Sequence, residues 1–206
     1  MGSRPLRTRA DFLSASGVLL LLREPVAPAP PVKGQPAAVA SNPSEGPEIL
    51  LSVWDDGHIV ALHGHVDLGT GVRTAFAQIV AEELGVDVDQ VDMILGDTGT
   101  APNQGPTIAS ASLQIHAQPL RIAAAQARRH LLARAAGVLG TTADLLQVTR
   151  GVVSARSGDG ADSPTVTYAQ LVSGQNERLM LDLTTPVRDP AHYLSLIHIS
   201  EPTRPY

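Results

Sequence analysis

The stretch His63-Gly64-His65-Val66-Asp67-Leu68-Gly69-Thr70-Gly71, followed by Val72 to Leu84, decides the fold. Before it, Ile49-Leu50-Leu51-Ser52-Val53-Trp54 and His58-Ile59-Val60-Ala61-Leu62-His63 flank Asp55-Asp56-Gly57, the pattern of two strands joined by a Gly-containing turn. After it, Val72, Ala75, Phe76, Ile79, Val80 and Leu84 recur at helical spacing, and Gly85 ends the run. The spacing predicts a helix over Thr70 to Leu84 entered from a strand through a glycine turn.

Working outward, Val91 to Leu95 reads as a strand, and a long alanine- and arginine-rich helix is expected from Ala109 to Ala136, with Gly137 at its end. Pro119 falls inside that helix, where its missing N–H and its ring oppose regular geometry. Either the helix kinks there or its regular part begins near Gln118. Leu145 to Thr149 and Val152 to Ala155, around Arg150-Gly151, predict a second hairpin, and Tyr168 to Val172 a short helix. Together these elements predict an α+β fold, a mixed sheet with two main helices.

Two small, hydroxyl-rich blocks sit just before the predicted helices: Gly69-Thr70-Gly71, and Gly105-Pro106-Thr107-Ile108-Ala109-Ser110-Ala111-Ser112. A helix start can aim free backbone N–H groups at an anion, so two of them suggest a large phosphate-bearing ligand. On residues alone the first block is either a plain strand-to-helix turn or a near-dinucleotide fingerprint. Thr74 stands where the third glycine belongs, and Asp89 or Asp92 lies near the ribose-ligand spacing. On spacing alone the second block reads first as an ordinary hydroxyl-rich helix cap.

The run Val66-Asp67-Leu68-Gly69-Thr70-Gly71 to Leu84, with Gly96-Asp97-Thr98 and Gly105-Pro106-Thr107-Ile108-Ala109-Ser110, resembles the molybdenum-cofactor-binding large subunits of the xanthine dehydrogenase and aldehyde oxidase family. The branch with nicotinate dehydrogenase and isoquinoline 1-oxidoreductase subunits is the most similar. The resemblance covers about residues 49 to 193. It implies an incomplete piece of the cofactor-binding domain and a molybdopterin cofactor, commonly the cytosine dinucleotide form.

It further implies that Gly69, Thr70 and Gly71, and Thr107, Ala109, Ser110 and Ser112, contact that cofactor. Thr70 replaces a glutamine found in many members, which shifts the loop's role toward its backbone. A small residue at Ala109 keeps clear the space beside the metal. The implied activity is oxidation of an N-heteroaromatic or aldehyde carbon with water as oxygen source. Implied partners are a small [2Fe–2S] subunit and, often in this branch, a cytochrome c subunit. The family's glutamate base lies far downstream and matches no residue here, so the chain as given is expected to lack hydroxylase activity. A self-contained, non-catalytic dinucleotide- or anion-binding module is the alternative.

Composition sets limits on other classes. A net charge of −5 opposes a nucleic-acid footprint, although Arg121, Arg128, Arg129 and Arg134 cluster on one predicted helix. With no cysteine, the chain cannot itself hold an iron–sulfur cluster or a thiolate zinc. His63, His65 and Asp67 alternate along one strand face, a tolerable metal-ligand pattern that a solvated face produces equally well, and the family assigns no metal ligand there. The neighbours Asp55-Asp56 and Glu82-Glu83 point apart and make no two-carboxylate site.

Both ends stand outside the predicted fold. Arg4, Arg7 and Arg9 precede the apolar run Leu13 to Leu22, too short to span a bilayer, with Ala38-Val39-Ala40 as a cleavage-like site. Residues 1–22 thus resemble a degenerate twin-arginine export signal, leaving a periplasmic or a cytoplasmic location open. Residues 23–48 hold seven of the sixteen prolines and read as a linker, so folding is expected from about Ile49. At the other end, Leu194 to Arg204 resembles a translated sequencing adapter. The natural coding sequence is therefore expected to stop being read near Tyr193, within a longer gene.

Overall fold

The computed structural model describes residues 8–25, 46–156, 164–189, 191 and 193. Most of the proline-rich segment, the adapter-like tail and the first seven residues lie outside them. The described chain builds α1 (Arg9–Ser14), β1 (Val18–Arg23), β2 (Glu48–Trp54), β3 (Ile59–His63), α2 (Val72–Leu84) and β4 (Val91–Leu95). It continues through α3 (Ala117–Leu139), β5 (Leu146–Thr149), β6 (Val152–Ala155), β7 (Val166–Thr167), α4 (Tyr168–Val172) and β8 (Asn176–Met180).

Five strands form one mixed sheet in the order β4-β3-β2-β1-β8. The pairs β1/β2 and β2/β3 are antiparallel, whereas β3/β4 and β1/β8 are parallel. The predicted hairpin closes through Trp54 N–H donating to the His58 carbonyl, 2.9 Å. A second, antiparallel sheet runs β5-β6-β7 and contains the predicted Arg150-Gly151 hairpin. The α+β architecture with a mixed sheet and two main helices is as the periodicities predict.

Helices α2 and α3 share one core with the sheet. Phe76, Val80 and Leu84 of α2 meet Ala123, Ala124, Ala127, Leu131 and Ala135 of α3, with Leu19, Leu21, Leu51 and Ala61 beneath them. Alanine on the buried stripe of α3 lets its backbone come close to its neighbours, where larger side chains would overpack. Pro119 is accommodated by a wide, π-type turn over Ser112–His116, after which regular α3 begins. The helix runs through Gly137 and ends at Gly140, whose left-handed backbone donates its N–H to the Ala136 carbonyl. The end is thus three residues beyond the expected one, because Gly137 is merely tolerated inside a helix whose buried face extends past it.

The amino-terminal segment departs most from expectation. Rather than preceding the fold, Val18 to Leu22 form the strand between β2 and β8, and each of the five apolar side chains is at most 4% exposed. A capping box between Thr8 and Asp11 starts α1, whose Phe12 packs on Trp54 with ring centroids 5.6 Å apart. Burial on both faces removes the apolar–polar alternation that marks a half-solvated strand. A central strand then has the composition of an export-signal core.

The proline-rich segment gains a different meaning too. Its flanks, Arg23 and Glu48, are paired residues of neighbouring strands, joined through Arg23 Nε donating to Glu48 Oε2 at 3.0 Å. It connects two strands of one sheet instead of separating domains. The edge strand β8 is a further addition to the expected elements, since Asn176-Glu177-Arg178-Leu179-Met180 carries few apolar residues.

Candidate functional site

Parallel strands send their following loops out at the same edge of a sheet. β3 and β4 are parallel, with His63 beside Leu95, so the loop after each leaves from one place. These are the loops that hold the two small-residue blocks. They are laced together: Gly64 N–H donates to Gln104 Oε1 at 2.7 Å and Val66 N–H to Thr107 Oγ1 at 3.0 Å, while His65 Nδ1 and Ser112 Oγ bond at 2.7 Å. Gly64 has to be glycine, because a Cβ there would stand 2.2 Å from the Pro102 carbonyl oxygen.

Between the loops lies a cavity of about 360 Å³, lined by Thr70, Thr107, Ala109, Ser110 and Ser112 together with apolar Val66, Leu68, Val72, Ile108 and Leu113. That volume falls within the usual range for small-molecule sites. Five of the seven residues singled out in the sequence therefore line one cavity. Gly69 and Gly71 flank Thr70 but are not part of the lining.

Their amides are also not free. Asp67 folds back over the start of α2, its Oδ1 accepting from Gly69 N–H at 3.0 Å, Thr70 N–H at 2.9 Å and Gly71 N–H at 3.2 Å. Its Oδ2 accepts from Arg73 N–H at 3.1 Å. The expected anion cradle is thus filled by the chain's own carboxylate. Asp97 does the same for Gly99 and Thr100 in the next loop.

The amide of Arg73 foremost, then those of Thr70, Gly71 and Gly69, hold the Asp67 carboxyl below the ordinary range. A depressed folded-state value means the contribution is present above the unfolded carboxyl pKa of about 3.9 and is lost as pH falls through the folded one. Protection of the Gly69 to Gly71 amides, measured against their intrinsic exchange rates, should fall on acidification below that range, and Asp67→Ala, which removes the acceptor, should show the low protection already at neutral pH. Equal protection in the variant would contradict this role for Asp67.

The second loop carries backbone strain. Ala109 and Ser110 adopt left-handed φ values of 55° and 53° in succession, which costs of order 1–3 kcal/mol per residue. Such outliers gather where a ligand wall must be shaped. Exposed apolar groups also cluster here: Leu68 is 74% and Ile108 63% exposed, at the cavity itself.

Behind the cavity the histidines stack inward. His63 lies on Phe76 at 4.1 Å between centroids, His65 meets His63 edge-on at 5.1 Å, and His116 lies 4.4 Å from His65. Burial first, and then the His65 and His116 rings, drive the His63 pKa down to about 4 despite the His116 carbonyl it bonds. His63 and His65 are fully buried, not on a solvated face, and Asp67 turns away to the loop. Among the described residues no group of three His, Cys, Asp or Glu side chains is placed to hold a metal. Asp89 and Asp92, at ribose spacing by sequence, sit before and at the start of β4, the end of that strand remote from the cavity.

Gln104, His65, Asp67 and His116 shape this site without being foreseen as its parts. The alternation His63-x-His65 is visible in the sequence; the partners that turn it inward lie 39 to 53 residues away.

A family model described as a molybdopterin cofactor-binding domain matches residues 26–193. The chain belongs to this family. Within it, a nicotinate dehydrogenase subunit of Pseudomonas putida is 46% identical over 187 residues, covering 90% of this chain and 15% of that protein. Xanthine dehydrogenase/oxidase of Mus musculus is 31% identical over 71 residues, 34% of this chain and 5% of that one. The cofactor-binding chain therefore spans a small part of the relatives it matches.

Among solved structures, a Cu,Mo-CO dehydrogenase superposes with a TM-score of 0.50 at 25% identity over 58% of this chain and 15% of that one. Quinoline 2-oxidoreductase of Pseudomonas putida 86 gives 0.50 at 23% over 68% and 18%, a likeness of fold.

The cavity fits the ring end of such a cofactor. A flat heterocycle needs apolar faces, supplied by Val66, Leu68, Ile108 and Leu113, and a few polar groups at its edge, supplied by Thr70, Thr107, Ser110 and Ser112. The Gly69–Gly71 turn does not fit a pyrophosphate, since Asp67 already takes its amides.

Proposed function

We propose that this chain forms the pterin-holding part of a molybdenum hydroxylase large subunit. The observation that carries it is the meeting of Thr70 with Thr107, Ala109, Ser110 and Ser112 around one cavity in a chain of this family. Gly69 and Gly71 belong to the assigned set through the turn that presents Thr70. The cofactor, when bound, supplies the redox chemistry, and the protein supplies seat and orientation.

The chain's own contribution is positional. Leu68 and Ile108 shield a ring face from water, and the Thr70, Thr107 and Ser112 hydroxyls fix its edge. At Ala109 the small side chain leaves the wall open. No side chain of the described residues is assigned the proton transfer of the reaction, so this segment alone is inactive by this reading. The cytosine dinucleotide form is the proposed cofactor, its phosphates lying beyond the Asp67-filled turn.

For the whole protein the proposed reaction is oxidation of an N-heteroaromatic or aldehyde carbon with oxygen from water. The 46% identity to a nicotinate dehydrogenase subunit supports the heteroaromatic class. A small [2Fe–2S] subunit and a cytochrome c subunit are the proposed electron-transfer partners. The anion-binding module is disfavoured by the internal carboxylate at the α2 start.

Ala109→Trp in the intact large subunit tests the site. Filling the cavity should cost about 1–3 kcal/mol of cofactor binding, or roughly 5- to 150-fold in retained pterin affinity, with an unchanged far-UV spectrum. Pterin and molybdenum content equal to wild type after extensive dialysis would remove Ala109 and its loop from the site.

A further inference from the structure

The hydrogen-bond directions around the histidines can be assigned one by one. A carbonyl oxygen only accepts, so the 3.1 Å contact from His63 Nε2 to the His116 carbonyl places the ring hydrogen on Nε2. His63 Nδ1 is then free to accept from His65 N–H, also at 3.1 Å. The next ring repeats the pattern. His65 Nε2 faces the Gln104 carbonyl at 3.4 Å and must donate, leaving its Nδ1 as an acceptor if the ring is neutral. The groups that face the His65 ring are the His63 and His116 rings, the Ser112 hydroxyl and the Gln104 carbonyl, with no carboxylate among them to pair with a second ring proton.

It follows that Ser112 donates its hydroxyl hydrogen to His65 Nδ1, at 2.7 Å. Ser112 then has only lone pairs to offer the cavity it lines. Thr107 is the opposite case: its Oγ1 accepts from Val66 N–H, so its hydroxyl hydrogen remains available. The two residues frame the strained Ile108-Ala109-Ser110 wall, one as acceptor and one as donor.

We propose that His65 is a positioning residue that fixes Ser112 as a hydrogen-bond acceptor, so that the cavity selects a neutral ring edge bearing an N–H beside a carbonyl and rejects phosphate. Phosphate oxygens would find a donor at Thr107 but lone pairs at Ser112, whereas the ring edge is matched at both, and the adjacent amide turn is closed to phosphate by Asp67. The inference deepens the cofactor assignment and rests on it for the identity of the ring.

Its test separates the two. Long-range proton–nitrogen correlation on the 206-residue chain with labelled imidazoles should show Nε2–H tautomers for His63 and His65. Free pterin should bind with quenching of its own fluorescence, and inorganic pyrophosphate should not compete. Ser112→Ala should weaken pterin about 5- to 10-fold, as expected for one lost hydrogen bond. His65→Phe, which frees the Ser112 hydrogen, should weaken pterin and admit pyrophosphate.

An Nδ1–H tautomer at His65 overturns the polarity assignment whatever binds, and that measurement needs no variant to fold. Pyrophosphate binding as tightly as pterin to the unaltered chain, or full pterin affinity in Ser112→Ala, overturns the selectivity. Correct tautomers with no pterin binding would sink the cofactor assignment, and the ring-edge selectivity with it.

Discussion

Leu20→Asp leaves no cooperatively folded chain. Leu20 lies mid-way along β1, fully buried, in the cluster that joins Phe12, Ile49, Trp54 and Leu62. Loss of its side chain alone costs about 2–5 kcal/mol, the range expected of Leu20→Ala. A carboxylate placed there without a partner adds several kcal/mol more. Against a typical total of about 5–15 kcal/mol the sum is of the same order as the whole stability. Thermal melting followed by near-UV dichroism should show no transition for Leu20→Asp and a lowered one for Leu20→Ala. The measurement also decides between two roles for residues 1–22, because a segment outside the fold would leave both melting curves untouched.

Glu83→Ala carries the second large expected effect. Glu83 is fully buried on α2 and accepts from Arg121 Nε at 2.8 Å, Tyr193 Oη at 2.6 Å and Arg188 N–H at 3.0 Å. It therefore gathers α3 and the carboxy-terminal stretch onto one side chain. Burial foremost, and then Glu83 itself, raise the Tyr193 pKa, which keeps its hydroxyl a donor. Removing the carboxylate strands a guanidinium that is four-fifths covered, and breaking such a pair costs about 3–5 kcal/mol. Tyr193→Phe removes a single charge-assisted bond, worth about 1.5–3 kcal/mol. Urea unfolding of both variants should give midpoints in the order wild type, Tyr193→Phe, Glu83→Ala. A Glu83→Ala midpoint equal to wild type would show that Arg121 and Tyr193 find other partners at no cost.

What is legible in the sequence is what repeats locally. The Val72–Leu84 helix, the strand at Val91–Leu95 and both hairpins carry their periodicity or their turn residues in the chain itself. Gly85 marks the end of α2 because only its own turn is involved. β1 has no such mark: Val18-Leu19-Leu20-Leu21-Leu22 is apolar at every position, and membrane-signal and sheet-core readings share that composition. β8 escapes for the opposite reason, since an edge strand with alternate exposed positions needs few apolar residues.

At the site, the small-residue loops are legible through their motifs, and their convergence follows from β3 and β4 being parallel. The filling of the first turn by Asp67 is not, although the carboxylate is only two residues from Gly69. Geometry, not spacing, decides whether such a side chain turns back onto its own loop. Glu83 shows the same limit from the other side. Adjacent acids do point apart, as Glu82 and Glu83 do, yet one of them is the most buried carboxylate of the helix because its partners come from 38 and 110 residues away.

Glu48 also reaches across the molecule. While one oxygen meets Arg23 at the paired ends of β1 and β2, the other accepts from Asn103 N–H at 2.8 Å, one residue before the Gln104 that laces the loops together. The loop that leads to the Thr107–Ser112 side of the cavity is thereby anchored to the far end of the N-terminal strand. On the proposed cofactor assignment, substitutions that loosen Arg23 from Glu48 would surface as reduced cofactor retention in the intact subunit. A stretch whose composition matches a dispensable leader is thus wired, through Glu48, to the loop that shapes the cavity.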